Sequence, residues 1–212
     1  PLANLPGVRL LWARSAADLA GADWIVLPGS KHTSGDLAWL RAQGMDHAIA
    51  DHAAAGKRVL GVCGGLQMLG EALIDPHGID GEGPGLGLLP LVTRFARDKT
   101  VRRTQAGFTM LSGPWSALSG VMVSGYEIHH GQTVQHPSMA AARPVLPDGL
   151  GWQNAGGNVL GVYLHGLFEE PAVLHALFGA QAPTLDTVFD GLADFIDSHF
   201  PAGALRALIA GD

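Results

Sequence analysis

The sequence has little of several residue types, and each shortage excludes a class of protein. Its 212 residues include a single cysteine, which excludes an internal disulfide framework and a zinc site built from thiolates. Its 13 lysines and arginines are outnumbered by 19 aspartates and glutamates, so the basic surplus of a nucleic-acid-binding protein is missing. No apolar run approaches the roughly 18 to 20 residues that cross a bilayer, and the first residues lack the layout of a signal peptide. We therefore expect a cytoplasmic protein without a nucleic-acid or membrane partner.

What the chain does contain is typical of a well-packed globule. Hydrophobic residues make up 47% of it and charged residues 15%. No long polar linker, internal repeat or low-complexity tract divides the chain. We expect a single domain over residues 1–212.

The order of the predicted elements indicates an α/β fold. Apolar runs and helical periods predict a strand, two helices and a second strand over residues 22–28, 33–44, 45–56 and 57–62, with Thr33, Ser34 and Asp36 capping the first helix. Leu66, Leu69 and Leu73 lie at helical spacing and predict a third helix after the second strand. This order is typical of a mixed, mostly parallel central sheet flanked by helices.

The second half of the chain is predicted to be richer in strands before it becomes helical again. The glycine-rich residues 75–90 have the wrong spacing for a nucleotide-binding loop and are expected to form a structured surface loop. Strands are expected over residues 91–135 and as a pair over residues 149–165. A C-terminal helix has one apolar face, formed by Leu185, Val188, Phe189, Leu192, Ile196 and Phe200.

The only cysteine, Cys63, is the candidate nucleophile. The stretch "GVCGG" places Gly61 and Gly65 where the glycines of a G-x-S-x-G nucleophile elbow stand, with cysteine in place of serine. The turn needs small neighbours so that strand and helix can approach, and the following helix N-terminus is expected to lower the thiol pKa. A free cysteine is also a common buried apolar residue, so an inert Cys63 is the alternative.

A cysteine nucleophile needs a base, and histidine is the usual one. His165 follows an apolar strand and precedes a glycine, so it is the first candidate, and His129 and His130 are the next. Together with Glu127 these histidines have the chemical types of a metal site. No helical His-x-x-x-His pair or thiolate cluster accompanies them, and we therefore expect no metal.

Five stretches resemble the triad-type glutamine amidotransferases, and specifically the C-terminal glutaminase domains of cobyric acid synthases. These are "LPGSKHT" at 27–33, "VLGVCGGLQMLG" at 59–70, "GPGLGLLP" at 83–90, "GYEIHHGQT" at 125–133 and "YLHGLF" at 163–168. They occur in the order of the family and span most of the chain. The resemblance implies a class I amidotransferase fold, which is flavodoxin-like.

The resemblance also implies roles for individual residues. Cys63 would be the nucleophile and His165 the general base, while backbone N–H groups stabilise the oxyanion. Gln67 lies one helical turn after Cys63 and could help hold the substrate amide. The oxyanion and substrate-binding residues implied in this way are Gly29, Ser30, Gly64 and Gln67.

Two departures from the family pattern limit what can be carried over. Many members have a glutamate two residues after the histidine, but Leu167 stands there in this chain. Glu127, Glu169 or Glu170 could orient His165 instead, or the site could work as a dyad. The family also places an ATP-binding synthetase domain and a first strand before the residues matched here, so we expect this chain to lack both.

The function implied by the resemblance is the hydrolysis of glutamine through a Cys63 thioester. The ammonia would serve the ATP-dependent amidation of adenosylcobyrinic acid a,c-diamide, a step of cobalamin biosynthesis. ATP and Mg²⁺ would belong to the synthetase domain, and this domain would need no cofactor. The alternatives are the glutaminase of a cell-wall lipid II amidating complex, a non-catalytic docking domain, and a cysteine peptidase.

Overall fold

The computed structural model describes residues 2–136, 138, 142–179, 185–201, 203–204 and 207–208. Its strands are β1 (Trp24–Leu27), β2 (Arg58–Val62), β3 (Ala72–Ile74), β4 (Gly83–Pro84), β5 (Leu91–Gly107), β6 (Met122–Gln135), β7 (Arg143–Leu146), β8 (Gly151–Gln153) and β9 (Val159–Val162). Its α-helices are α1 (Thr33–Ala42), α2 (Met45–Ala54), α3 (Gly64–Leu69), α4 (Pro171–Phe178) and α5 (Leu185–His199).

Two sheets form the α/β fold that the sequence predicts. The first has the strand order β1-β2-β9-β8-β7, and the second has the order β4-β3-β5-β6. In the first sheet β1, β2 and β9 are parallel, whereas β8 and β7 are antiparallel to their neighbours. In the second sheet β3 and β5 are parallel, whereas β4 and β6 are antiparallel to their neighbours, so both sheets are mixed.

Helix α3 lies between the two sheets. It contacts β1, β2 and β9 of the first sheet and β3, β5 and β6 of the second. All six of its residues are buried, because both sides of the helix meet a sheet. This position brings the residue that precedes α3, Cys63, close to the edge of both sheets.

Two predictions about this region are wrong in detail. Leu73 was expected to continue α3, but Gly70 ends the helix and Leu73 lies in β3, where it is buried against the same core. The segment from 75 to 90 is not a surface loop throughout, since it contains β4 and its Leu89 is fully buried. Periodicity failed at Leu73 because three leucines at helical spacing also suit a short helix followed by a strand.

Strands β5 and β6 form a long antiparallel ribbon that extends the second sheet. Their pairing runs from Leu91 with Gln135 to Gly107 with Met122, and the register shifts between Phe95 and Thr100. An isolated bridge joins Tyr126 of β6 to His165 after β9. The ribbon therefore connects the second sheet to the end of the first one.

The C-terminal helix α5 presents its predicted apolar face to solvent. Val188, Phe189 and Leu192 are all at least half exposed, and Phe200, which follows the helix, is nearly so. The side chain of Leu185 lies outside the described residues. The apolar period was correct for the helix, but it did not indicate burial within this chain.

Candidate active site

Cys63 sits at a strained turn between β2 and α3. Its backbone has φ 52° and ψ −107°, and among the described non-glycine residues only Asp148 also has a positive φ. The Cys63 N–H donates to the Val162 carbonyl at 2.7 Å, which fixes the turn against the end of β9. A cysteine in this conformation costs on the order of 1–3 kcal/mol, a strain that occurs most often at functional sites.

The flanking glycines are needed because the backbone is crowded on both sides of the turn. A Cβ atom at Gly61 would lie 2.6 Å from the Gly65 carbonyl carbon and from a Leu69 methyl group. A Cβ atom at Gly65 would overlap the Leu27 carbonyl at the end of β1. The glycine spacing of the motif thus allows α3 to begin directly against β1 and β2.

The segment after β1 passes over the N-terminus of α3. A Cβ atom at Gly64 would lie 2.7 Å from Cβ of Ser30, and one at Gly29 would lie 2.7 Å from Cε1 of His165. Gly29 and Ser30 therefore touch both the histidine and the residue that follows Cys63. The structure brings together four of the residues that the sequence predicts for the site.

A set of hydrogen bonds holds this segment to the start of α1. Ser30 donates to Asp36 at 2.5 Å, and the backbone N–H groups of Thr33 and Ser34 donate to the Asp80 carboxylate at 2.8 and 2.7 Å. The N-cap of α1 is His32, whose ring accepts from a backbone N–H, so the prediction that Thr33, Ser34 and Asp36 cap the helix is wrong in detail. Asp80 belongs to the glycine-rich segment, and capping α1 gives that segment a structural role.

His165 is fixed through its backbone. It exchanges two hydrogen bonds with Tyr126: its N–H donates at 2.9 Å and its carbonyl accepts at 3.2 Å. Burial lowers the pKa of the imidazole, and the nearby His129 lowers it further. The ring is therefore neutral at physiological pH, which is the state that a general base requires.

The thiol of Cys63 is buried and protonated in this structure. It donates to the Ile128 carbonyl of β6 at 3.6 Å. Burial raises its pKa from 9.0 to about 11, although the Gly64 N–H and the Lys99 charge act in the opposite direction. The sequence-based expectation of a lowered thiol pKa is therefore wrong, because burial outweighs the effect of the short helix.

Gln67 is buried beneath the nucleophile in a chain of polar side chains. Its Oε1 accepts from the Thr33 hydroxyl at 3.0 Å, and its Nε2 donates to the Tyr163 hydroxyl at 3.2 Å. Tyr163 in turn bonds to Thr133, which bonds to Thr93, each at 2.6 Å. These bonds occupy Gln67 between α1 and β9, so its described contacts are structural.

Glu127 is buried on β6 and belongs to a second polar cluster. Its carboxylate accepts from Arg102 at 2.6 and 3.1 Å and from the Thr104 hydroxyl, and it lies 3.6 Å from Nε2 of His129. Burial would raise the pKa of Glu127, but the hydrogen bonds from Arg102 and Thr104 outweigh it and hold the pKa low. None of these described bonds joins Glu127 to His165.

His129 connects the polar cluster around Glu127 to the chain of polar side chains that includes Gln67 and Tyr163. Its ring stacks on Tyr163 at a centroid distance of 3.9 Å, and its Nδ1 bonds to the Gly131 carbonyl at 2.7 Å. Because a carbonyl only accepts, Nδ1 carries the proton. Burial lowers the pKa of His129 as well.

The two other candidate carboxylates lie near His165 in the chain. A cavity of about 350 Å³ is lined by His165, Glu169 and the N-terminal residues Leu2 and Leu10, among others. The Oε2 atom of Glu169 is buried without a hydrogen-bond partner among the described residues. Glu170 instead accepts from the Ser124 N–H at 3.2 Å.

Sequence reasoning missed several residues that hold the site. Asp80 stood in a segment judged only by its glycine spacing, and Tyr163 was part of an apolar strand. Arg102 and Thr104 lie on a strand far from Glu127 in sequence. Only their pairing across β5 and β6 reveals them, and the sequence carries no signal for that register.

Two features are absent from the part of the chain that the structure describes. Over residues 2–136, 138, 142–179 and the described C-terminal stretches, no group of three or more metal-binding side chains is placed to hold an ion. In the same residues no helix is long and apolar enough to cross a membrane.

The family of the chain follows from its match to a known domain. The model of the CobB/CobQ-like glutamine amidotransferase domain matches residues 1–173. The chain belongs to this family. Members of the CobB/CobQ-like family are glutamine amidotransferases, and the strained cysteine turn described above lies within the matched region.

Named relatives agree with this membership. The chain is 74% identical over 211 residues to a cobyric acid synthase of Variovorax paradoxus, covering 99% of the chain and 44% of the relative. It is 68% identical to the cobyric acid synthase of Polaromonas naphthalenivorans, covering 99% of the chain and 45% of the relative. The chain thus spans less than half of the length of these relatives.

Solved structures confirm the predicted class I amidotransferase fold. A crystal structure of a glutamine amidotransferase aligns with a TM-score of 0.56 at 18% identity, covering 77% of this chain and 80% of that one. PurLQS from Thermotoga maritima aligns with a TM-score of 0.51 at 20% identity, covering 84% and 81%. At these identities the likeness concerns the fold alone.

Proposed function

We propose that this chain is the glutaminase part of a cobyric acid synthase. It hydrolyses glutamine and supplies ammonia for the ATP-dependent amidation of adenosylcobyrinic acid a,c-diamide. Membership of the amidotransferase family and the high identity to cobyric acid synthases support this proposal. ATP, Mg²⁺ and the corrinoid would bind to the part of the relatives that this chain does not match.

The observation that carries the proposal is the strained backbone of Cys63. An inert buried cysteine needs no positive φ, whereas a nucleophile at the tip of a strand-to-helix turn does. The raised thiol pKa fits both an inert cysteine and a nucleophile, whereas the strain supports the nucleophile. Gly29 and Ser30 lie against both Gly64 and His165, which supports an oxyanion site beside the thiol.

The proposed chemistry is acyl transfer in two steps. Sγ of Cys63 attacks the carboxamide carbon of glutamine while the thiol proton moves to His165. The oxyanion accepts from the Gly64 N–H and from an N–H of the segment at Gly29 and Ser30. The C–N bond then breaks, the proton on His165 goes to the leaving ammonia, and a glutamyl thioester remains. Water, deprotonated by His165, hydrolyses the thioester to glutamate and restores the thiol.

The two pKa shifts define the protonation state from which the proposed reaction starts. With its pKa raised to about 11, the Cys63 thiol is almost wholly protonated at neutral pH. His165, whose pKa is lowered, is neutral at the same pH and can accept that proton. The site therefore starts from a neutral pair, and because both shifts oppose a separate proton transfer, the proton leaves the thiol as Sγ attacks the carboxamide.

The orienting acid can be assigned by comparing two substitutions. We expect Glu127→Gln to disturb the Arg102 and His129 contacts, and Glu169→Gln to act on the cavity that it shares with His165. If Glu127 orients His165 through His129, Glu127→Gln lowers glutamine turnover more than Glu169→Gln does. The reverse order would assign the role to Glu169, and no effect from either would indicate a dyad.

The function is tested in the full-length synthase with two nitrogen donors. Cys63→Ala should abolish corrinoid amidation driven by glutamine and leave amidation driven by ammonium salts unchanged. The control is Ala53→Ser, a distant substitution that should leave both rates unchanged. Loss of the ammonia-driven rate as well, or survival of the glutamine-driven rate, would contradict the proposal.

The cell-wall alternative predicts a different acceptor. A glutaminase of a lipid II amidating complex would support amidation of that lipid and would leave the corrinoid unchanged. The chain resembles cobyric acid synthases over 99% of its length, and this favours the corrinoid. Product analysis by mass spectrometry with each acceptor separates the two functions.

A further inference from the structure

The ribbon of β5 and β6 exposes a concentrated positive charge. Five of the 13 basic residues of the chain lie in the ten positions from 94 to 103, where Asp98 is the only acidic one. All five are exposed: Arg94, Arg97, Lys99, Arg102 and Arg103. The chain as a whole has a net charge of −6, so the sign of this cluster is opposite to that of the whole chain.

Apolar side chains accompany the charge on the outer side of the ribbon. Val101 is 67% exposed and pairs with Ile128, which is 42% exposed. Arg103 pairs with Tyr126, which is 48% exposed, and its guanidinium lies 5.4 Å from the centre of the tyrosine ring. Tyrosine and arginine are enriched among the residues that contribute most to binding at protein interfaces. We call Arg94, Arg97, Lys99, Val101, Arg103, Tyr126 and Ile128 the basic ribbon face.

The other side of the same ribbon contributes to the candidate active site. Glu127 and His129 alternate with Tyr126 and Ile128 along β6, so they point to the opposite side of the ribbon from Tyr126, Ile128 and their partners Arg103 and Val101. The Ile128 carbonyl accepts from the Cys63 thiol, and Tyr126 holds the backbone of His165. A partner in contact with the basic ribbon face would therefore act on both proposed catalytic residues through one strand, β6.

We infer that the basic ribbon face docks on an acidic surface of the synthetase part of the enzyme. The inference rests on the proposed function, because it names the partner of the same site. More than half of the length of the relatives lies outside the region that this chain matches, which provides a partner within the same protein. Charge complementarity favours an acidic protein surface, and the exposed Val101, Tyr126 and Ile128 favour a surface with apolar pockets.

Docking at this face would also act on the strand behind it. A partner seated on Tyr126 and Ile128 would fix the strand that carries the thiol acceptor and the His165 anchor.

Zero-length cross-linking of the full-length synthase tests the contact itself. A carbodiimide joins an amine to a carboxylate that it touches, and the chain has only three lysines, Lys31, Lys57 and Lys99. Lys57 is exposed and precedes β2, at the end of the sheet opposite to Cys63, so it serves as an internal control. Mass spectrometry should find Lys99 joined to an aspartate or glutamate of the synthetase part and Lys57 not joined to it. A Lys99 without such a link would overturn the inference.

Charge reversal tests the consequence. The variant R94E/R97E/R103E changes the basic ribbon face and leaves the Arg102 pair with Glu127 intact. The variant R9E/R14E/R143E makes the same change in net charge at exposed positions outside β5 and β6. We expect the ratio of glutamine-driven to ammonia-driven amidation to fall about 10-fold or more in the first variant and to stay unchanged in the second. Equal effects of the two variants would contradict docking at this face.

The two experiments distinguish failure of the docking from failure of the proposed function. A Lys99 link in a protein that does not hydrolyse glutamine would support the proposed docking and contradict the proposed glutaminase activity. Suppose that glutamine is hydrolysed at Cys63, that no Lys99 link forms, and that R94E/R97E/R103E keeps the normal ratio of glutamine-driven to ammonia-driven amidation. This result would support the proposed glutaminase activity and contradict the proposed docking. The cross-link is measured on the unmodified protein, so a variant that fails to fold does not affect that test.

Discussion

Titration of the Cys63 thiol is the prediction that follows most directly from the geometry of the site. Burial raises its pKa from 9.0 to about 11. This corresponds to about 3 kcal/mol in favour of the protonated thiol. At any pH well below 9, the folded protein should therefore hold about 100-fold less thiolate than an exposed cysteine.

The assay is the pH dependence of alkylation in the absence of glutamine. Because the chain has one cysteine, every alkylated product reports on Cys63. The rate of reaction with iodoacetamide should rise with pH without levelling off until about pH 11. Burial also slows access of the reagent, so the pKa is read from the position of the inflection and the absolute rate is not used. An inflection below pH 8.5 would refute the reasoning, because it would mean that a thiolate is already stabilised in the empty site.

The same shift makes stability depend on pH in a defined direction. The folded chain holds the thiol proton more tightly than the unfolded chain, so the free energy of unfolding falls as pH rises above about 9. Tyr163, with its pKa raised to about 12 by burial, acts in the same direction above pH 10. Cys63→Ala should remove the decline in the free energy of unfolding that begins above about pH 9 and keep the decline that Tyr163 causes above pH 10. Chemical denaturation between pH 8 and 11 measures both.

Three further predictions concern residues that position the site. Gly29→Ala places a Cβ atom 2.7 Å from Cε1 of His165 and should lower glutamine turnover about 10- to 100-fold, whereas Gly83→Ala, with open space around it, should not. Asp80→Ala removes two hydrogen bonds from the N-terminus of α1 and should lower the free energy of unfolding by about 1 to 2 kcal/mol in urea denaturation. Glu127→Gln should flatten the acid decline in stability: a carboxylate with a lowered pKa stabilises the fold above about pH 4.5, and that stabilisation is lost as pH falls. An unchanged turnover, an unchanged urea midpoint or an unchanged acid profile would contradict the respective prediction.

Local sequence patterns were enough to predict the turn at Cys63 and most strands. The glycines at 61 and 65, a β-branched strand before them and leucines after them point to one local structure, and that structure is found. Helices α1 and α2 and the strand pair β8 and β9 were predicted for the same reason. The five family stretches then identified the elements that meet at the site.

What the sequence did not predict depends on contacts between distant segments. The Arg102 pair with Glu127 depends on the β5 and β6 register, and the bonds from Asp80 to α1 cross 46 and 47 residues. The raised pKa of Cys63 is a consequence of burial between two sheets, which a helix-dipole argument on the local sequence leaves out. Gln67 lies one helical turn after Cys63 as expected, yet its partners Thr33 and Tyr163 come from other elements. Short-range periodicity contains no information on any of these.

Labelling with a glutamine-derived electrophile, such as a diazoketone analogue of glutamine, tests the central claim most directly. The reagent needs both the glutamine site and the attacking sulfur, so we expect one adduct per chain, on Cys63, formed faster than by iodoacetamide and slowed by glutamine. His165→Asn should slow the labelling, and Cys63→Ala should eliminate it. An adduct on another residue, or equal labelling of Cys63→Ala, would contradict the account.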